Sequence, residues 1–434
     1  MSSLFNPFRP NSPIPPGAFV GRIEEVVRLE RALRDTRGGN AHHFMVTGER
    51  GIGKTSLLDY IRWVARGDIK ADFNADGDEF RFVAADIEIE KNTTPASLVR
   101  KINRSLEKQL GGVEAGLTFL KKTREFVSRL ETSIVKIGQS SVAQTDEDIL
   151  DELAYSLTST VGRMTEEDGL FGKRYDGIVI FIDEADSASP SLDLGALLKL
   201  LTERLHKRGC AKLCFGLAGL PELREKLRCS HASVLRVLDE VPLERLTSQE
   251  AGQVIDRCLE VAREEGKQSP AIADDARSLL IRMSEGYPHF VHQFGYSACD
   301  VDRDGVVSGE DVLSGGFNPR GAIEIIGDKY YRDDYYNKIK KDSYREVLSI
   351  MAEKLDQWIS KEEIRQKFKG KASTLSHALH ALRARRIILV KEGEKGIYRL
   401  GRKAFALWIR LHRRGSVGVS TGDSAPTDTR SSDG

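Results

Sequence analysis

One segment of the sequence combines glycines, a lysine and a threonine at a spacing that suits phosphate binding. Residues 48–55 read Gly-Glu-Arg-Gly-Ile-Gly-Lys-Thr, which matches the pattern Gly-x-x-x-x-Gly-Lys-Ser/Thr without a gap. Glycines let successive backbone N–H groups face an anion, and the following helix adds the positive end of its dipole. Lys54 would reach the outer phosphates, and the Thr55 hydroxyl would hold Mg²⁺. The segment predicts a phosphate-binding loop (P-loop) for ATP, and the alternative is an ordinary glycine-rich turn. The residues predicted to contact the phosphates are Gly48, Glu49, Arg50, Gly51, Ile52, Gly53, Lys54, Thr55 and Ser56.

A second segment supplies carboxylates at the end of an apolar run. Residues 178–182 are entirely apolar, and Asp183 and Glu184 follow them directly. Asp183 is the candidate Mg²⁺ ligand opposite the P-loop, and Glu184 is placed to orient or deprotonate the attacking water. The alternative is that these acids only begin and cap a helix. Together with the P-loop they predict ATP hydrolysis, with Glu184 and Lys54 as catalytic residues and with Thr55 and Asp183 as metal ligands.

The elements that must position these residues alternate between short apolar strands and helices. Because such a pattern is typical of a parallel sheet covered on both faces, we expect an α/β P-loop NTPase fold. The predicted strands comprise residues 44–46, 80–85, 178–182 and 213–217. Residues 112–145 interrupt the alternation and are expected to form a helical insertion.

The chain resembles AAA+/STAND-type P-loop ATPases, in particular the group of origin-initiator, ExeA-type and transposition-regulator ATPases. The resemblance rests on Phe-Val-Gly-Arg at 19–22, the P-loop, Ile-Asp-Glu-Ala-Asp at 182–186, residues 217–223 and Gly-Tyr-Pro at 286–288, and it covers about residues 15–314. It implies that Val20, Gly21 and Arg22 lie beside the adenine base and that Pro288 belongs to the nucleotide site. It also implies that Arg236 serves as an arginine finger toward a neighbouring subunit, for which an ordinary surface arginine is the alternative.

Two positions depart from this family. Where related ATPases end the fourth strand with a polar residue that senses the γ-phosphate, this chain has Ala-Gly-Leu at 218–220. Where many carry a lid arginine, it has Tyr-Pro-His at 287–289. Because fewer polar groups would contact the γ-phosphate, we expect slow hydrolysis and a switch rather than a motor.

The net charge of +1 conceals an uneven distribution along the chain. Residues 337–414 contain 21 Lys and Arg against 8 Asp and Glu, whereas residues 1–336 contain 44 against 54. Three helical segments and a β-hairpin in the basic part resemble a winged helix-turn-helix, whose third helix enters the DNA major groove. We therefore expect DNA binding, with a protein partner as the alternative. Trp358 and Trp408 are expected to be core anchors. The predicted DNA contacts are Lys371, Ser373, Thr374, Ser376, His377, His380, Arg383, Lys391 and Lys395.

The predicted organisation has five parts. They are an extended arm (1–18), an ATPase core (19–245), a helical lid (246–320), a winged-helix domain (337–414) and a disordered tail (415–434). The sequence contains no apolar run long enough for a membrane helix and no secretory signal pattern. Its five scattered cysteines show no zinc or redox pairing, which favours a cytoplasmic location. Homo-oligomerisation through the ATP sites is a further expectation.

Overall fold

A computed structural model describes residues 4–12, 14–71, 79–110, 146–166 and 174–417 of the chain. Its residues group into two compact units. The first consists of Arg9–Lys267 with Gly286–His289, and the second contains the rest of the described chain. The predicted insertion at 112–145 lies wholly outside the described residues. No helix in the described ranges is long and apolar enough to cross a membrane.

The first unit is built on a five-stranded parallel sheet with the strand order β2-β3-β4-β1-β5. β1, β4 and all of β3 except Asp183 are buried, as strands covered by helices on both faces must be. The α/β P-loop NTPase fold is therefore confirmed. The strands are β1 (His43–Thr47), β2 (Phe82–Glu88), β3 (Gly177–Asp183), β4 (Leu213–Gly219) and β5 (Leu238–Pro242).

Seven helices among the described residues belong to this unit. Their apolar faces supply a core that includes Leu57 and Ile61 of α2 and Leu98 of α3. The unit includes α7, which the sequence analysis assigns to the lid. The helices are α1 (Ile23–Arg37), α2 (Lys54–Arg66), α3 (Pro95–Leu110), α4 (Asp146–Thr165), α5 (Leu194–Lys207), α6 (Glu222–Ser230) and α7 (Ser248–Glu264).

The second unit is mostly helical. Its short strands form a parallel pair, β6 with β7, and an antiparallel sheet with the order β8-β10-β9. The helices are α8 (Asp274–Ser284), α9 (Pro288–Val301, whose first two residues belong to the first unit), α10 (Gly309–Phe317), α11 (Ala322–Tyr330), α12 (Asp342–Ala352), α13 (Lys361–Lys367), α14 (Ala372–Ala384) and α15 (Lys403–Val417). The strands are β6 (Ala271–Ile272), β7 (Val306–Val307), β8 (Ile359–Ser360), β9 (Ile388–Val390) and β10 (Ile397–Leu400).

Helix α15 is the main element of this unit that the sequence analysis does not predict. The Glu285 carboxylate accepts hydrogen bonds from the backbone N–H groups of Lys403 and Ala404, at 3.0 and 2.6 Å, and so caps the helix. The Trp408 side chain is fully buried, and a Cβ atom at Gly327 of α11 would lie 1.7 Å from its ring. Trp408 is thus a core anchor, whereas Trp358 is 37% exposed and that prediction is wrong. α15 continues to Val417, and the disordered tail predicted from residue 415 stays a prediction.

His43, at the start of β1, predicts a pH dependence of stability. Its Nδ1 accepts a hydrogen bond from the backbone N–H of Phe215 at 3.1 Å, and burial lowers the pKa of the ring from 6.5 to about 4. As the pH falls from 6.5 toward 4, the histidine becomes protonated in the unfolded state but stays neutral in the folded state. Protonation therefore stabilises the unfolded state and lowers the free energy of unfolding. We therefore expect the free energy of unfolding to fall by about 2–3 kcal/mol between pH 7 and 4.5 through this residue.

Urea titrations of wild type and His43→Gln at both pH values measure this contribution. The glutamine keeps an acceptor but cannot be protonated, so the variant should lose less stability over the same interval. If the two proteins lose equal amounts of unfolding free energy, His43 does not contribute.

Candidate nucleotide-binding site

The P-loop lies where β1 ends and α2 begins, so its conformation follows from its glycines. Gly51 and Gly53 have φ angles of 77° and 100°, which side chains rarely adopt. At Gly48 a Cβ atom would lie 2.8 Å from the Ile52 side chain. α2 begins at Lys54, so its unpaired N–H groups face the loop. The loop therefore forms a cradle of the kind that binds phosphate.

Lys54 lies across this cradle. Its Nζ donates to the backbone carbonyls of Gly48 and Glu49 at 2.9 and 3.1 Å. Burial lowers the pKa of Lys54, while the nearby carboxylates of Glu184, Asp186 and Asp183 act in the opposite direction. The lysine is therefore held inside the loop, beside the acids that end β3.

Thr55 and Asp183 meet although they are far apart in sequence. The Thr55 hydroxyl donates to Asp183 Oδ2 at 2.9 Å, and Asp183 Oδ1 accepts from the backbone N–H of Glu184 at 2.8 Å. No cluster of three or more His, Cys, Asp or Glu side chains suited to a metal occurs in the described ranges. One hydroxyl and one carboxylate are nevertheless a donor set that suits Mg²⁺, which usually keeps several waters and substrate oxygens.

Glu184 follows β3 in a left-handed backbone conformation, with a φ of 52°. The residue is exposed to solvent. Partial burial and then the charges of Asp186 and Asp183 raise the pKa of Glu184 above its ordinary value. A carboxylate with a raised pKa is a better proton acceptor than an ordinary one, as a general base requires.

Arg22 has a structural role that the sequence analysis did not predict. Its guanidinium is buried and donates to the backbone carbonyls of Ile52, at 3.3 Å, and Glu244, and it pairs with Glu25 at 3.2 Å. Its backbone N–H is 3.3 Å from a carboxylate oxygen of Glu250. Arg22 thus ties the P-loop to the segment that follows β5. The adenine contacts of Val20, Gly21 and Arg22 stay a prediction.

The segment Gly286–His289 packs directly on the P-loop. The buried Tyr287 hydroxyl donates to the Glu49 carboxylate, and the ring carbon Cγ of Pro288 lies 3.7 Å from a Cβ position at Gly53. The sequence predicts a site role for Pro288 but none for Tyr287, because the partner of the tyrosine, Glu49, is 238 residues away in the chain. Arg236 lies exposed in the 3₁₀ turn Ala232–Arg236, and its finger role stays a prediction.

The predicted DNA contacts lie in the second unit, where most of their side chains are exposed. α14 buries one face through Leu375, Ala378, Leu379 and Leu382. Two of the contacts have protein partners: Ser376 accepts from Lys361 at 3.0 Å, and Lys391 pairs with Glu394. The winged-helix assignment itself stays a prediction. The exposed members of the set are Lys371, Ser373, Ser376, His377, His380, Arg383 and Lys395, and Thr374 and Lys391 are half-buried.

A protein-family model matches the part of the chain that contains the P-loop and the acids after β3. Residues 18–209 match the model of the AAA ATPase domain. This part of the chain is an AAA ATPase domain. It contains the P-loop, Asp183 and Glu184, whereas Arg236, Pro288 and residues 371–395 lie outside the matched segment. No curated protein sequence matches the chain.

Solved structures of other proteins have a fold similar to that of this chain. The Orc2 protein of Aeropyrum pernix, described as ADPNP-ADP complexes, is 14% identical with a TM-score of 0.57, over 95% of this chain and 98% of that one. A Walker-type ATPase of Pyrococcus abyssi is 15% identical with a TM-score of 0.50, over 90% and 96% of the two chains. At these identities the likeness is one of fold alone.

Proposed function

We propose that the AAA ATPase domain binds ATP with Mg²⁺ and hydrolyses it. The observation that carries this proposal is the 2.9 Å contact between Thr55 and Asp183 beside a lysine that lies inside the glycine cradle. The cradle fits a triphosphate, because its glycines keep backbone N–H groups free of side chains. The structures of the Aeropyrum pernix protein, described as ADPNP-ADP complexes, support a nucleotide at this fold.

Each residue then has a distinct task. Lys54 exchanges its carbonyl partners for phosphate oxygens, and Thr55 and Asp183, which contact each other at 2.9 Å, would supply neighbouring oxygen ligands for Mg²⁺. Bound Mg²⁺ would neutralise charge on the phosphates. Glu184 accepts a proton from the attacking water or orients it.

We infer slow turnover and a switch-like role from what the site does not supply. Ala218 is buried and Gly219 has no side chain, so the end of β4 offers no polar side chain of its own. The segment on the P-loop contributes Tyr287 and Pro288 rather than arginine. Fewer charged donors at the γ-phosphate mean weaker transition-state stabilisation. An arginine from a second subunit, such as the exposed Arg236, would compensate in a homo-oligomer.

We further infer that the nucleotide state controls DNA binding by the basic C-terminal part. Residues 337–414 carry 21 Lys and Arg against 8 acids, and the exposed face of α14 presents cations, hydroxyls and imidazoles. Lysines and arginines would neutralise phosphates, while Ser and His can reach base edges. The five free cysteines support a reducing, cytoplasmic location.

A DNA titration of the full chain tests this function. With a fluorescent duplex we expect the dissociation constant to rise at least tenfold between 50 and 200 mM salt, because about three or more phosphate contacts are screened. Changing Lys371 and Arg383 to Ala should weaken binding severalfold, whereas Lys207→Ala on α5 should not. The Glu184→Gln variant with bound ATP and the wild type with bound ADP should bind the duplex with different dissociation constants. Absence of binding at 50 mM salt excludes the DNA function, and equal affinity in both nucleotide states excludes the switch.

A protein partner is the second candidate, and one observation favours it. Trp358, directly before β8, and Leu389 of β9 are each 37% exposed. Arg399 of the central strand β10 pairs with Leu389 in the sheet register, and its guanidinium stacks on Trp358 with 4.8 Å to the ring centroid. An exposed tryptophan with a stacked arginine is common at protein interfaces. If the chain does not bind DNA, we expect a protein partner to bind at this surface.

A further inference from the structure

Asp186 connects the turn after β3 to the end of β4. It is the last residue of the Asp-Glu-Ala-Asp sequence that begins at Asp183. Its Oδ1 accepts a hydrogen bond from the backbone N–H of Leu220 at 2.8 Å. The backbone carbonyl of the same aspartate accepts from Lys226 Nζ on α6. The turn that carries Glu184 is thereby joined to β4 and α6 by two contacts from one residue.

The end of β4 is also joined to the P-loop. β4 lies between β3 and β1 in the sheet, so its last residues lie between the end of β3 and the end of β1, where the P-loop begins. The Gly219 carbonyl accepts a hydrogen bond from the backbone N–H of Gly48 at 3.2 Å. Gly48 is in turn one of the two carbonyl partners of Lys54. Asp186 is therefore linked to the lysine through an unbroken series of hydrogen bonds and backbone.

The Asp186 carboxylate also occupies the space beside Gly219. A Cβ atom at Gly219 would lie 2.8 Å from Asp186 Oδ1, 2.8 Å from a methyl carbon of Leu223 and 3.1 Å from the backbone N of Asp186. At 2.8 Å a Cβ atom would be too close to both side chains, so any side chain at 219 has to displace the Asp186 carboxylate and the Leu223 methyl group. Glycine at this position and aspartate at 186 are consequently a matched pair.

We propose that Asp186 is a positioning residue for ATP hydrolysis, which holds the turn bearing Glu184 at a set distance from the P-loop through Leu220 and Gly219. The inference rests on the proposed ATPase function. It requires the acceptor oxygen of Asp186, since this oxygen holds the Leu220 N–H. Small displacements of a catalytic group lower rates strongly, because the reacting atoms must be held close together.

Single-turnover hydrolysis by Asp186→Ala and Asp186→Asn tests the proposal, with ATP affinity measured in parallel. We expect Asp186→Ala to lower the hydrolysis rate about 10- to 100-fold while the dissociation constant for ATP changes less than about threefold. Asp186→Asn retains an acceptor for Leu220 and should recover most of the lost rate. Asp151→Ala, which removes an exposed partner of Arg204, is the matched control.

The outcomes separate the two claims. If wild type neither binds nor hydrolyses ATP, the proposed function fails first. If wild type is active, the inference is overturned by an unchanged rate in Asp186→Ala, or by an Asp186→Asn variant as slow as the alanine variant, since charge rather than position would then matter. If Asp186→Ala does not fold, Gly219→Ala decides: it displaces Asp186 by steric contact and should also lower the rate at least about tenfold. An unchanged rate in Gly219→Ala contradicts the proposal.

Discussion

Replacing Glu184 with glutamine is expected to lower the single-turnover rate of ATP hydrolysis by about 100-fold or more and to leave ATP affinity nearly unchanged. Glu184 is an exposed carboxylate beside the phosphate cradle, and general-base catalysis contributes about 100- to 10,000-fold. Glutamine has nearly the same shape but is a far weaker base. Radiolabelled phosphate release with enzyme in excess over ATP measures the rate.

Glu203→Gln provides the matched control. Glu203 is an exposed glutamate of α5 in the same unit, where it pairs with Lys199 at 2.9 Å. This variant should hydrolyse ATP at the wild-type rate. Equal rates for wild type and Glu184→Gln would remove Glu184 from its assigned role, even if ATP binding were intact.

Replacing Lys54 with alanine is expected to weaken ATP binding by about 100-fold. Lys54 is the cation that lies inside the glycine cradle, and a charge-assisted contact with phosphate contributes about 1.5–3 kcal/mol, or 10- to more than 100-fold in affinity. Truncation also leaves the Gly48 and Glu49 carbonyls without this donor. The combined loss should be visible by calorimetric titration with ATP in Mg²⁺.

The control for this experiment is Lys207→Ala, at the exposed end of α5. Its affinity for ATP should match that of wild type. Thermal unfolding of Lys54→Ala in the absence of nucleotide should show a folded protein, because the lysine is not part of the apolar core. Wild-type affinity in Lys54→Ala would place the nucleotide elsewhere.

The centre of the site could be predicted from sequence because its chemistry depends on local patterns. The P-loop residues are contiguous, and Asp183 directly follows a short apolar run that is typical of a buried strand. The contact between Thr55 and Asp183 then follows from the parallel sheet, since the carboxyl ends of parallel strands meet at one edge. The sheet could be predicted because its central strands, β1, β3 and β4, are buried and therefore appear in the sequence as short apolar runs.

The rest depends on contacts between residues far apart in sequence. Nothing local in Phe-Val-Gly-Arg indicates that Arg22 binds the carbonyls of Ile52 and Glu244. The sequence does not indicate β5, because its first three residues are only half-buried and two of them, Asp239 and Glu240, are acids. Asp186 ends the acidic motif at 182–186, but the motif does not indicate its partner, because Leu220 is 34 residues away.

The most direct test of the account is a crystal structure of the chain with Mg²⁺ and a non-hydrolysable ATP analogue. We expect the triphosphate against the backbone N–H groups of the P-loop, with Lys54 on its oxygens and with Thr55 and Asp183 beside the metal ion. A nucleotide bound away from residues 48–55, or a P-loop without nucleotide at saturating concentration, would contradict the central claim.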